Sequence, residues 1–437
     1  MELRERLRLA LQPRAERPLA RATPSCALRP AFPGPSSRPL DAKLCRALPL
    51  RRIETSRGAV YLAEEWWPPD YRHGRLALGD ALSLAGPALS RLAPGLSPLD
   101  LAAAAFIDVE TTGLAGGTGT YVFLVGLGSF EDGSFRLRQF FLADLPGERA
   151  MLAAVAEALT GCRALVSFNG RRFDLPLLET RLTLSRLPSL PPGLPHLDLL
   201  YPARRLYRRR LPSCRLASLE EALLALERED DVPGWAIPAL YFDYARRGEA
   251  GPLRAVFRHN ALDILSLVSL LAHLGQIIGG DTPADPDDCV ALGRWDEAEG
   301  RLADARRLYA AALDGGADGE GRALALRRLA HLYRRLGRWE DAARLWHEEA
   351  ESGGAPERRL EALIELAKLE EHRRRDYAAA EAVTRRALLV VELLTLRGGG
   401  RTAPSLRREA LEHRLWRLRR RLATSQSRPP CHWEPSC

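Results

Sequence analysis

Lysine is almost missing from this sequence, which has only Lys43 and Lys368 among its 64 basic residues. Arginine supplies the rest, beside abundant Ala, Gly, Pro and Leu, a composition typical of a GC-rich coding sequence. A net charge of +8 would ordinarily indicate a polyanionic partner. Because the arginine count here reflects codon supply as well as ligand choice, the charge alone is weak evidence of function.

Cysteine clusters and long apolar runs are also missing. The seven cysteines are scattered, and no Cys-x-x-Cys or Cys/His group has the spacing of a zinc site. The sequence shows no uninterrupted run of about 18 apolar residues and no apolar N-terminal stretch of the secretory type. We therefore expect reduced thiols, no membrane partner and a cytoplasmic location.

The chain is too long for one hydrophobic core, so we expect two folded domains with tails. Composition changes along the chain predict a disordered N-terminal tail at 1–50, a small lead-in segment at 51–100 and an α/β domain at 101–275. A linker rich in Gly, Pro and Asp follows at 276–290, then a helical region at 291–423 and a disordered tail at 424–437.

The α/β part has a readable order of elements. AAAAFIDVE, YVFLVGLGSF and SFRLRQFFLA are three successive strands, the last two joined by a Glu-Asp-Gly-Ser turn. A helix, the strand ALVSF and a second helix come next, and HNALDILSLVSLLAHL closes the domain as an amphipathic helix. We predict a sheet with flanking helices.

The helical region contains a repeat. GRWDEA at 293–298 recurs as GRWEDA at 337–342 and more weakly as RDYAAA at 375–380. The aromatic residues Trp295, Trp339 and Tyr377 are 44 and 38 residues apart, close to the length of a two-helix repeat. The pattern favours tetratricopeptide-like repeats, and an irregular helical bundle is the alternative.

Two carboxylates end the first strand. Asp108 and Glu110 are two residues apart, so a strand directs both side chains to one face. Hard cations such as Mg²⁺ and Mn²⁺ prefer oxygen ligands, and two such cations can hold both the attacking and the leaving oxygen of a phosphodiester. A turn that can approach a substrate follows directly, formed by Thr111, Thr112, Gly113 and Leu114.

A second polar segment follows the strand ALVSF. It contains Asn169, a polar group for the substrate, Phe173, an apolar wedge, and Asp174, a candidate metal ligand. Taken alone, Asp174 is best explained as a helix cap, and Asn169 can be simply a turn residue. Only their combination indicates a site.

The third segment lies on the closing helix. His259 and Asp263 are four residues apart and therefore share a helix face. A carboxylate on an otherwise apolar helix needs a partner, which is either a metal or an arginine. His259 is a candidate general base or a residue that only supports the site.

An arginine-rich stretch and one more acid remain open. Arg204, Arg205 and Tyr207 lie where they could follow a phosphate backbone and stack on a base, but a solvated helix face explains them as well. Asp198 is either a fifth acid of the site or a cap at a helix start.

In this order, Asp-x-Glu, Asn-x-x-x-Phe-Asp and His-x-x-x-Asp resemble the motifs of the DEDD exonuclease superfamily. Within it, the chain most resembles the YprB-type ribonuclease H-like proteins, through ETTGL, YVFLVGLG, SFNGRRFDLP, HLDLLYPARRLYR, DVPGWAIPALYFDY and HNALDIL. The similarity covers roughly residues 53–274. In the histidine class of the superfamily the base stands five residues before the last Asp, whereas His259 stands four before Asp263, the spacing of the tyrosine class.

The resemblance implies a ribonuclease H-like domain with a mixed five-stranded sheet, and the repeat pattern predicts an all-α helical-repeat domain after it. It implies two Mg²⁺ or Mn²⁺ ions held by Asp108, Glu110, Asp174 and Asp263, and 3′ to 5′ exonuclease activity on single-stranded DNA or RNA. A nucleic-acid-binding module without cleavage and a helical-repeat adaptor for a protein partner are the alternative functions.

Overall fold

A computed structural model describes residues 40–426, except 97–98, 114–117, 192, 281–284 and 397–401. Both predicted tails fall mostly outside the described residues, at 1–39 and 427–437. The end of the predicted N-terminal tail is described and is folded, because Leu44, Leu48 and Leu50 are buried in the same apolar cluster as Val60 and Leu62 of the sheet. The folded chain therefore begins before the predicted boundary at residue 51.

The central element is a seven-stranded mixed sheet. Its strands are β1 (Arg51–Thr55), β2 (Gly58–Trp67), β5 (Ala104–Thr111), β6 (Val122–Glu131), β7 (Ser134–Phe141), β8 (Ala164–Ser167) and β9 (His196–Asp198). Their spatial order is β1-β2-β7-β6-β5-β8-β9. β8 pairs parallel to both β5 and β9, and the other neighbours are antiparallel.

The four strands predicted from the residues, β5 to β8, form one continuous part of this sheet, and β9, which was not predicted, completes the five strands that the resemblance implies. The two additional strands come from the segment that we expected to be a separate lead-in. β2 pairs with β7 from Tyr61 to Trp67, so this segment extends the sheet. The residues of this segment are β-prone, but such a composition does not identify a pairing partner. A small separate hairpin follows, made of β3 (Arg72–His73) and β4 (Leu76–Ala77).

Helices cover the sheet. They are α1 (Leu40–Ala47), α2 (Gly86–Leu92), α3 (Glu148–Ala158), α4 (Asp174–Leu184), α5 (Leu200–Tyr207), α6 (Leu216–Leu219), α7 (Ile237–Arg247) and α8 (Leu253–Gly279). Short 3₁₀ turns lie at Leu78–Ala81, Leu101–Ala103, Leu145–Gly147 and Gly234–Ala236, and a π turn at Glu220–Leu224 continues α6.

The long helix α8 is the centre of the core. Among the described residues it alone is long and apolar enough to cross a membrane by length and composition, which we did not expect from the sequence. However, 83% of its most apolar window is buried inside the fold. The helix is apolar because protein surrounds it on most sides.

Two glycines let α8 lie close to the sheet. A Cβ atom at Gly126 would come within 2.3 Å of the Asn260 Oδ1 atom, and one at Gly128 within 2.7 Å of Ile264. Gly126 and Gly128 share one face of β6, while Asn260 and Ile264 are one turn apart on α8. The G-x-G in YVFLVGLG is therefore a packing feature that places α8 over the strand.

The remaining chain is helical. Its helices are α9 (Pro286–Ala298), α10 (Leu302–Asp314), α11 (Gly319–Arg335), α12 (Trp339–Glu351), α13 (Pro356–Leu369), α14 (Tyr377–Leu396) and α15 (Thr402–Gln426), with a π turn at Glu370–Arg374. The predicted linker at 276–290 is shorter than expected, because α8 runs to Gly279 and α9 begins at Pro286. The Asp285 side chain caps α9 by accepting a hydrogen bond from the Asp287 backbone N–H (2.9 Å).

The repeat exists in a different register from the one we predicted. Gly293 and Trp295 lie inside α9, whereas Trp339 begins α12. The residue equivalent to Trp339 is Leu302, and the steps from 302 to 339 and from 339 to 377 are 37 and 38 residues. Left-handed turns precede these starts at Gly300, Gly337 and Arg375, and Ala305, Ala342 and Ala380 are fully buried in matching places.

The first helix of this region is built into the α/β core. Leu292 and Trp295 of α9 belong to the same buried cluster as Leu206 and Tyr207 of α5. Arg91 of α2 donates to the buried Asp296 carboxylate (2.7 Å). The two parts of the chain therefore share apolar surface and an ion pair.

Candidate active site

Asp108 and Glu110 lie at the end of β5, the strand at the centre of the predicted site. Asp108 faces Gly126 across the β5–β6 pair, and the pairing register shifts between Glu110 and Thr111. The Asn260 amide of α8 donates to the Asp108 Oδ2 atom (2.8 Å). The sheet and the helix α8 together fix the Asp108 carboxylate.

Asp174 begins α4, directly after the turn that follows β8. Asp198 of β9 holds this turn, because its carboxylate accepts hydrogen bonds from the Asn169 (2.7 Å) and Arg171 (3.2 Å) backbone N–H groups. It also accepts from the Leu200 N–H at the start of α5 (3.1 Å). Of the two roles left open for Asp198, the structure shows the cap, and the same carboxylate also shapes the turn before Asp174.

Asn169 occupies the left-handed backbone region in this turn, with φ of 64°. Asparagine tolerates that conformation better than most residues. In this turn the Asn169 backbone N–H donates a hydrogen bond to the Asp198 carboxylate. A substrate contact by its side chain stays a prediction.

The four predicted acids converge at the ends of these elements. Burial raises the pKa of Asp108 well above its usual range, and the charges of Asp263, Glu110 and Asp174 raise it further. Burial likewise raises the pKa of Glu110 to about 8, assisted by Asp263 and Asp174 against the opposing effect of His259. Carboxylates that raise one another's pKa lie close together in a poorly hydrated place.

The pKa of Asp174 is raised as well. Burial and then the charge of Asp198 raise the pKa of Asp174 to about 7, with a further contribution from Asp263. Among the described residues, no arginine or lysine forms an ion pair with Asp108, Glu110 or Asp174. These three acids lie close together without an arginine or lysine ion pair in the described part of the chain, and the charge of His259 offsets only part of the effect at Glu110.

Asp263 differs from the other three acids because an arginine contacts it. The Arg228 Nη2 atom donates to Asp263 Oδ1 and also to Glu220 Oε1. Its Nε atom donates to Glu220 Oε2 (2.7 Å), and its Nη1 atom to Asp231 Oδ2 (3.0 Å). Of the two partners that the sequence left open for Asp263, the structure contains the arginine.

His259 belongs to this charged group, and its role as a general base stays a prediction. Burial opposes its protonation, but the hydrogen bond to Asp231 (2.8 Å) and the charges of Asp263 and Glu110 outweigh that effect and raise the pKa of His259 to about 9. A histidine with this pKa is an imidazolium cation at neutral pH. In that state it donates hydrogen bonds, and a cation bound by Asp263 and Glu110 would weaken the charges that raise the pKa of His259.

Sequence reasoning missed Arg228, Asp231, Glu220 and the role of Asn260. Arg228 and Asp231 stand in the run REDDV at 228–232, which reads as an ordinary charged loop. A signal existed in Glu220, since an acid within the apolar run SLEEALL requires a cationic partner when buried. Nothing in the sequence showed which of many arginines supplies it.

The turn after β5 closes on itself. The Thr111 hydroxyl donates to the Gly113 carbonyl (2.9 Å), and the Thr112 Oγ1 atom accepts from the Tyr121 N–H (2.9 Å). Leu114 lies outside the described residues. Phe173, in contrast, is 56% exposed beside Asp174, so it is available as the predicted apolar wedge.

The prediction that the arginines and the tyrosine of α5 contact nucleic acid is wrong for Tyr207 and is not supported for Arg205. Tyr207 is fully buried and shares a hydrogen bond with His273 Nε2 (2.9 Å), so it cannot stack on a base. Arg205 stacks on the Trp295 ring at 4.2 Å and donates to Glu299 (2.9 Å), so it joins α5 to α9. Arg204 is exposed, and its substrate role stays a prediction.

The donors fit hard divalent cations by type. Oxygen ligands are what Mg²⁺ and Mn²⁺ require, and the mutual repulsion of Asp108, Glu110 and Asp174 is the kind that a cation relieves. Among the described residues, however, no group of three or more acidic, histidine or cysteine side chains already has the spacing of a metal site.

The sheet order β7-β6-β5-β8-β9, with acids at the end of β5 and on α8, defines a ribonuclease H-like domain. Residues 105–275 match a family model described as RNase_H superfamily. The chain is 33% identical over 291 residues to the uncharacterized protein YprB of Bacillus subtilis (strain 168). This similarity covers 65% of the present chain and 68% of that protein. The chain therefore belongs to the YprB family of ribonuclease H-like proteins.

Proposed function

We propose that this protein is a metal-dependent nuclease, a 3′ to 5′ exonuclease that hydrolyses single-stranded DNA or RNA with Mg²⁺ or Mn²⁺. The observation that carries the proposal is the convergence of Asp108, Glu110, Asp174 and Asp263. Membership of a ribonuclease H-like family supports hydrolysis of nucleic acid as the general class. The polarity rests on the motif resemblance alone.

The four acids would hold the cations, which supply a polarised water and stabilise charge on the phosphodiester. The protein's own groups orient these ligands. Asn260 fixes Asp108, and Asp198 fixes the turn that presents Asp174. Phe173, exposed beside that turn, would pack against a terminal base. The His259 imidazolium would donate a hydrogen bond to a phosphate oxygen.

The proposal is tested with Asp108→Asn and Asp174→Asn, which keep side-chain size and remove charge. We expect each variant to lose at least about a hundredfold of the rate, because electrostatic stabilisation is usually the largest catalytic contribution. The substrates are single-stranded DNA and RNA labelled at either end, with Mn²⁺ or Mg²⁺. Asp243→Asn, at an exposed acid of α7, is the matched control.

Cleavage that both purified variants retain at the wild-type rate would exclude this site. End-labelled products also report polarity, since a 3′ to 5′ enzyme shortens a 5′-labelled strand one nucleotide at a time. A ladder of that kind from the 3′ label alone would contradict the proposed direction.

A second function, nucleic-acid binding without cleavage, is favoured by one observation. Arg228 already neutralises Asp263, as a site without a catalytic cation would require. Strand binding that is unchanged by Mn²⁺, together with no hydrolysis under any condition, would establish this alternative. A protein partner on the tetratricopeptide-like helices remains a separate proposal.

A further inference from the structure

We infer that a single-stranded nucleic acid held at the candidate site continues along the exposed side of α5 to a cleft beside α9, on a surface that we call the arginine track. This inference rests on the proposed function, because it assigns a path to the proposed substrate. The track consists of Tyr201, Arg204, Arg208, Arg209 and Arg294.

The helix α5 and the carboxylates of β5 lie on the same face of the sheet. Ala104 and Phe106 of β5 belong to the buried cluster that contains Tyr207 of α5. Alternate side chains of a strand share a face, so Asp108 and Glu110 follow on that face. A nucleic acid that leaves these acids on this side of the sheet therefore meets α5.

The first turn of α5 borders the turn that follows β8. The Asp198 carboxylate accepts hydrogen bonds from the Asn169 N–H in that turn (2.7 Å) and from the Leu200 N–H at the start of α5 (3.1 Å). The Arg171 guanidinium lies over the Tyr201 ring at 5.9 Å, and Tyr201 is 49% exposed. A base that leaves the candidate site therefore has an aromatic ring to stack on.

The spacing of the next residues places them in one row. Tyr201, Arg204 and Arg208 are three and four positions apart, so they share one side of α5, and all three are exposed. The row spans about 10 Å, at a rise of about 1.5 Å per residue. Arg205 lies outside this row, because it stacks on Trp295.

The row ends at a cleft of about 510 Å³ between α5, α9 and α11, and both Arg209 and Arg294 line this cleft. Arg294 is half-buried. Burial and then the charge of Arg209 lower the pKa of Arg294. The charges of Arg328 and Arg208 lower it further. Five arginines and three acids line the cleft, so its net charge favours an anion.

An abundance of arginine does not by itself explain the track. In the helical region, Arg322, Arg334 and Arg358 form ion pairs with acids of neighbouring helices. The four arginines of the track form no ion pair with any acid that the structure describes. Positive charges held together without acids repel one another, and phosphate groups would relieve that repulsion.

A single-stranded nucleic acid fits this surface better than an acidic peptide does. The arginines match the regular charges of a phosphate backbone. Tyr201 offers a stacking surface that any base can use. The row also begins beside the acids that would hydrolyse a phosphodiester, so one strand can occupy both.

The experiment measures binding of the full chain to a fluorescent oligothymidylate of about 20 nucleotides, by anisotropy in EDTA at several NaCl concentrations. In Arg204→Gln/Arg208→Gln/Arg294→Gln we expect the affinity to fall about 10–100-fold. The slope of log affinity against log salt concentration should decrease by about 2, since each phosphate contact of a single strand contributes about 0.7. The preference for this strand over one of about four nucleotides should decrease as well.

Matched variants separate the track from a general loss of charge. Arg57→Gln/Arg149→Gln/Arg247→Gln removes three exposed arginines and should keep the wild-type slope, because α3 and α7 pack on the opposite face of the sheet.

Two further variants separate charge from stacking. Replacing Arg204, Arg208 and Arg294 by lysine keeps the charges and should keep most of the slope. Tyr201→Ala should weaken binding about tenfold and leave the slope unchanged, because it removes stacking and no charge.

Wild-type affinity and slope in the folded triple glutamine variant overturn the inference, and the Asp108→Asn and Asp174→Asn assays then still decide the proposed function. Binding of polyglutamate that is lost in this variant, without binding of the oligonucleotide, assigns the track to an acidic protein and also overturns the inference. Failure of the wild-type protein to bind or cleave any strand overturns the inference and the proposed function together.

Discussion

At the scale of single residues, Asn260 connects the candidate site to the core. Its Nδ2 group donates to Asp108 (2.8 Å), and its Oδ1 atom accepts from Gln139 Nε2 (2.9 Å). Gln139 also donates to the Phe257 carbonyl of α8 (2.8 Å). One fully buried amide thus joins β5, β7 and α8 and sets the direction of a predicted ligand.

We expect Asn260→Ala to weaken Mn²⁺ affinity and strand cleavage by about 10–100-fold, as loss of a group that orients a metal ligand typically does. Titration with MnCl₂ and a cleavage assay measure both effects. Ser269→Ala, which removes a buried hydroxyl of α8 bonded to the His73 carbonyl (3.2 Å), is the control. Wild-type affinity in a folded Asn260→Ala protein would show that Asp108 needs no such support.

Two buried histidines make stability depend on pH. Burial, and then Arg75 and Arg210, lower the pKa of His273 to about 4, and burial followed by Arg228 lowers the pKa of His73 to about 4. Arg75 donates to His273 Nδ1 (3.1 Å), so the neutral ring carries its proton on Nε2 and donates it to Tyr207 (2.9 Å).

The unfolded chain binds these protons near pH 6.5, whereas the folded chain binds them only near pH 4. The contribution of these two histidines to stability is therefore fully present above about pH 6.5 and is lost as the pH drops toward 4. Each histidine accounts for up to about 3 kcal/mol of that loss. Urea unfolding at several pH values measures the slope, and His273→Gln should reduce it. An unchanged slope would contradict the assignment.

The four acids could be predicted from the sequence because each one lies at a recognisable place in a predicted strand or helix. Asp108 and Glu110 end an apolar strand, Asp174 begins a helix and Asp263 lies on a buried helical face. Arg228 could not be found in this way. It is 35 positions from Asp263, in a chain where arginine is so abundant that its presence distinguishes no position.

At the scale of elements, the close approach of β6 and α8 depends on Gly126. A methyl group there would meet the Asn260 amide, with Oδ1 at 2.3 Å and Nδ2 at 3.0 Å. Asn260 is fully buried and bonded at both ends of its amide, so it has little freedom to move aside. The strand and the helix must therefore separate, or Asn260 must release Asp108.

We expect Gly126→Ala to lower the free energy of unfolding by about 1–3 kcal/mol, the usual cost of an added methyl in a packed core. Mn²⁺ affinity should fall with it, since Asn260 is displaced. Gly251→Ala is the matched control, because a Cβ atom at Gly251 meets nothing within 4 Å. Stability and affinity equal to wild type would show that β6 and α8 are more adaptable than this packing indicates.

The existence of most elements followed from hydrophobic pattern, whereas their partners and register did not. The residues of β1 and β2 are β-prone. However, the antiparallel pairing of β2 with β7 joins segments about 70 residues apart, and local composition does not predict such a pairing. The helical repeat was predicted from the similar sequence motifs around Trp295 and Trp339. The structure shows that Trp295 lies in the last turn of α9 whereas Trp339 begins α12, a difference that composition does not reveal.

At the scale of the whole molecule, α9 links the α/β part to the helices that follow. Trp295 is 3% exposed in the cluster shared with α5 and α8, and Arg205 stacks on its ring. Asp296, which is fully buried, accepts hydrogen bonds from Arg91 and Arg301. The predicted boundary near residue 275 therefore cuts through a packed interface, and the proposed domain limits are best tested there.

We expect Trp295→Ala to destabilise the protein by about 3–5 kcal/mol, as removal of a large buried side chain does. Amide hydrogen exchange should accelerate in α5 and in the C-terminal half of α8, not only in α9, because these helices share the cavity. Trp416→Ala, at a residue that is 54% exposed, is the control. Faster exchange restricted to α9 would show that the two parts are energetically independent.

The two additional strands also decide how the sheet ends. Without them the outermost strand would be β7, whose end carries the aromatic pair Phe140 and Phe141, an open template for another chain to join. β1 now takes that place and presents the exposed side chains of Arg51, Arg52 and Glu54, while β9 limits the other side to three residues. Intermolecular strand addition, and with it fibre growth, is thereby discouraged at both margins.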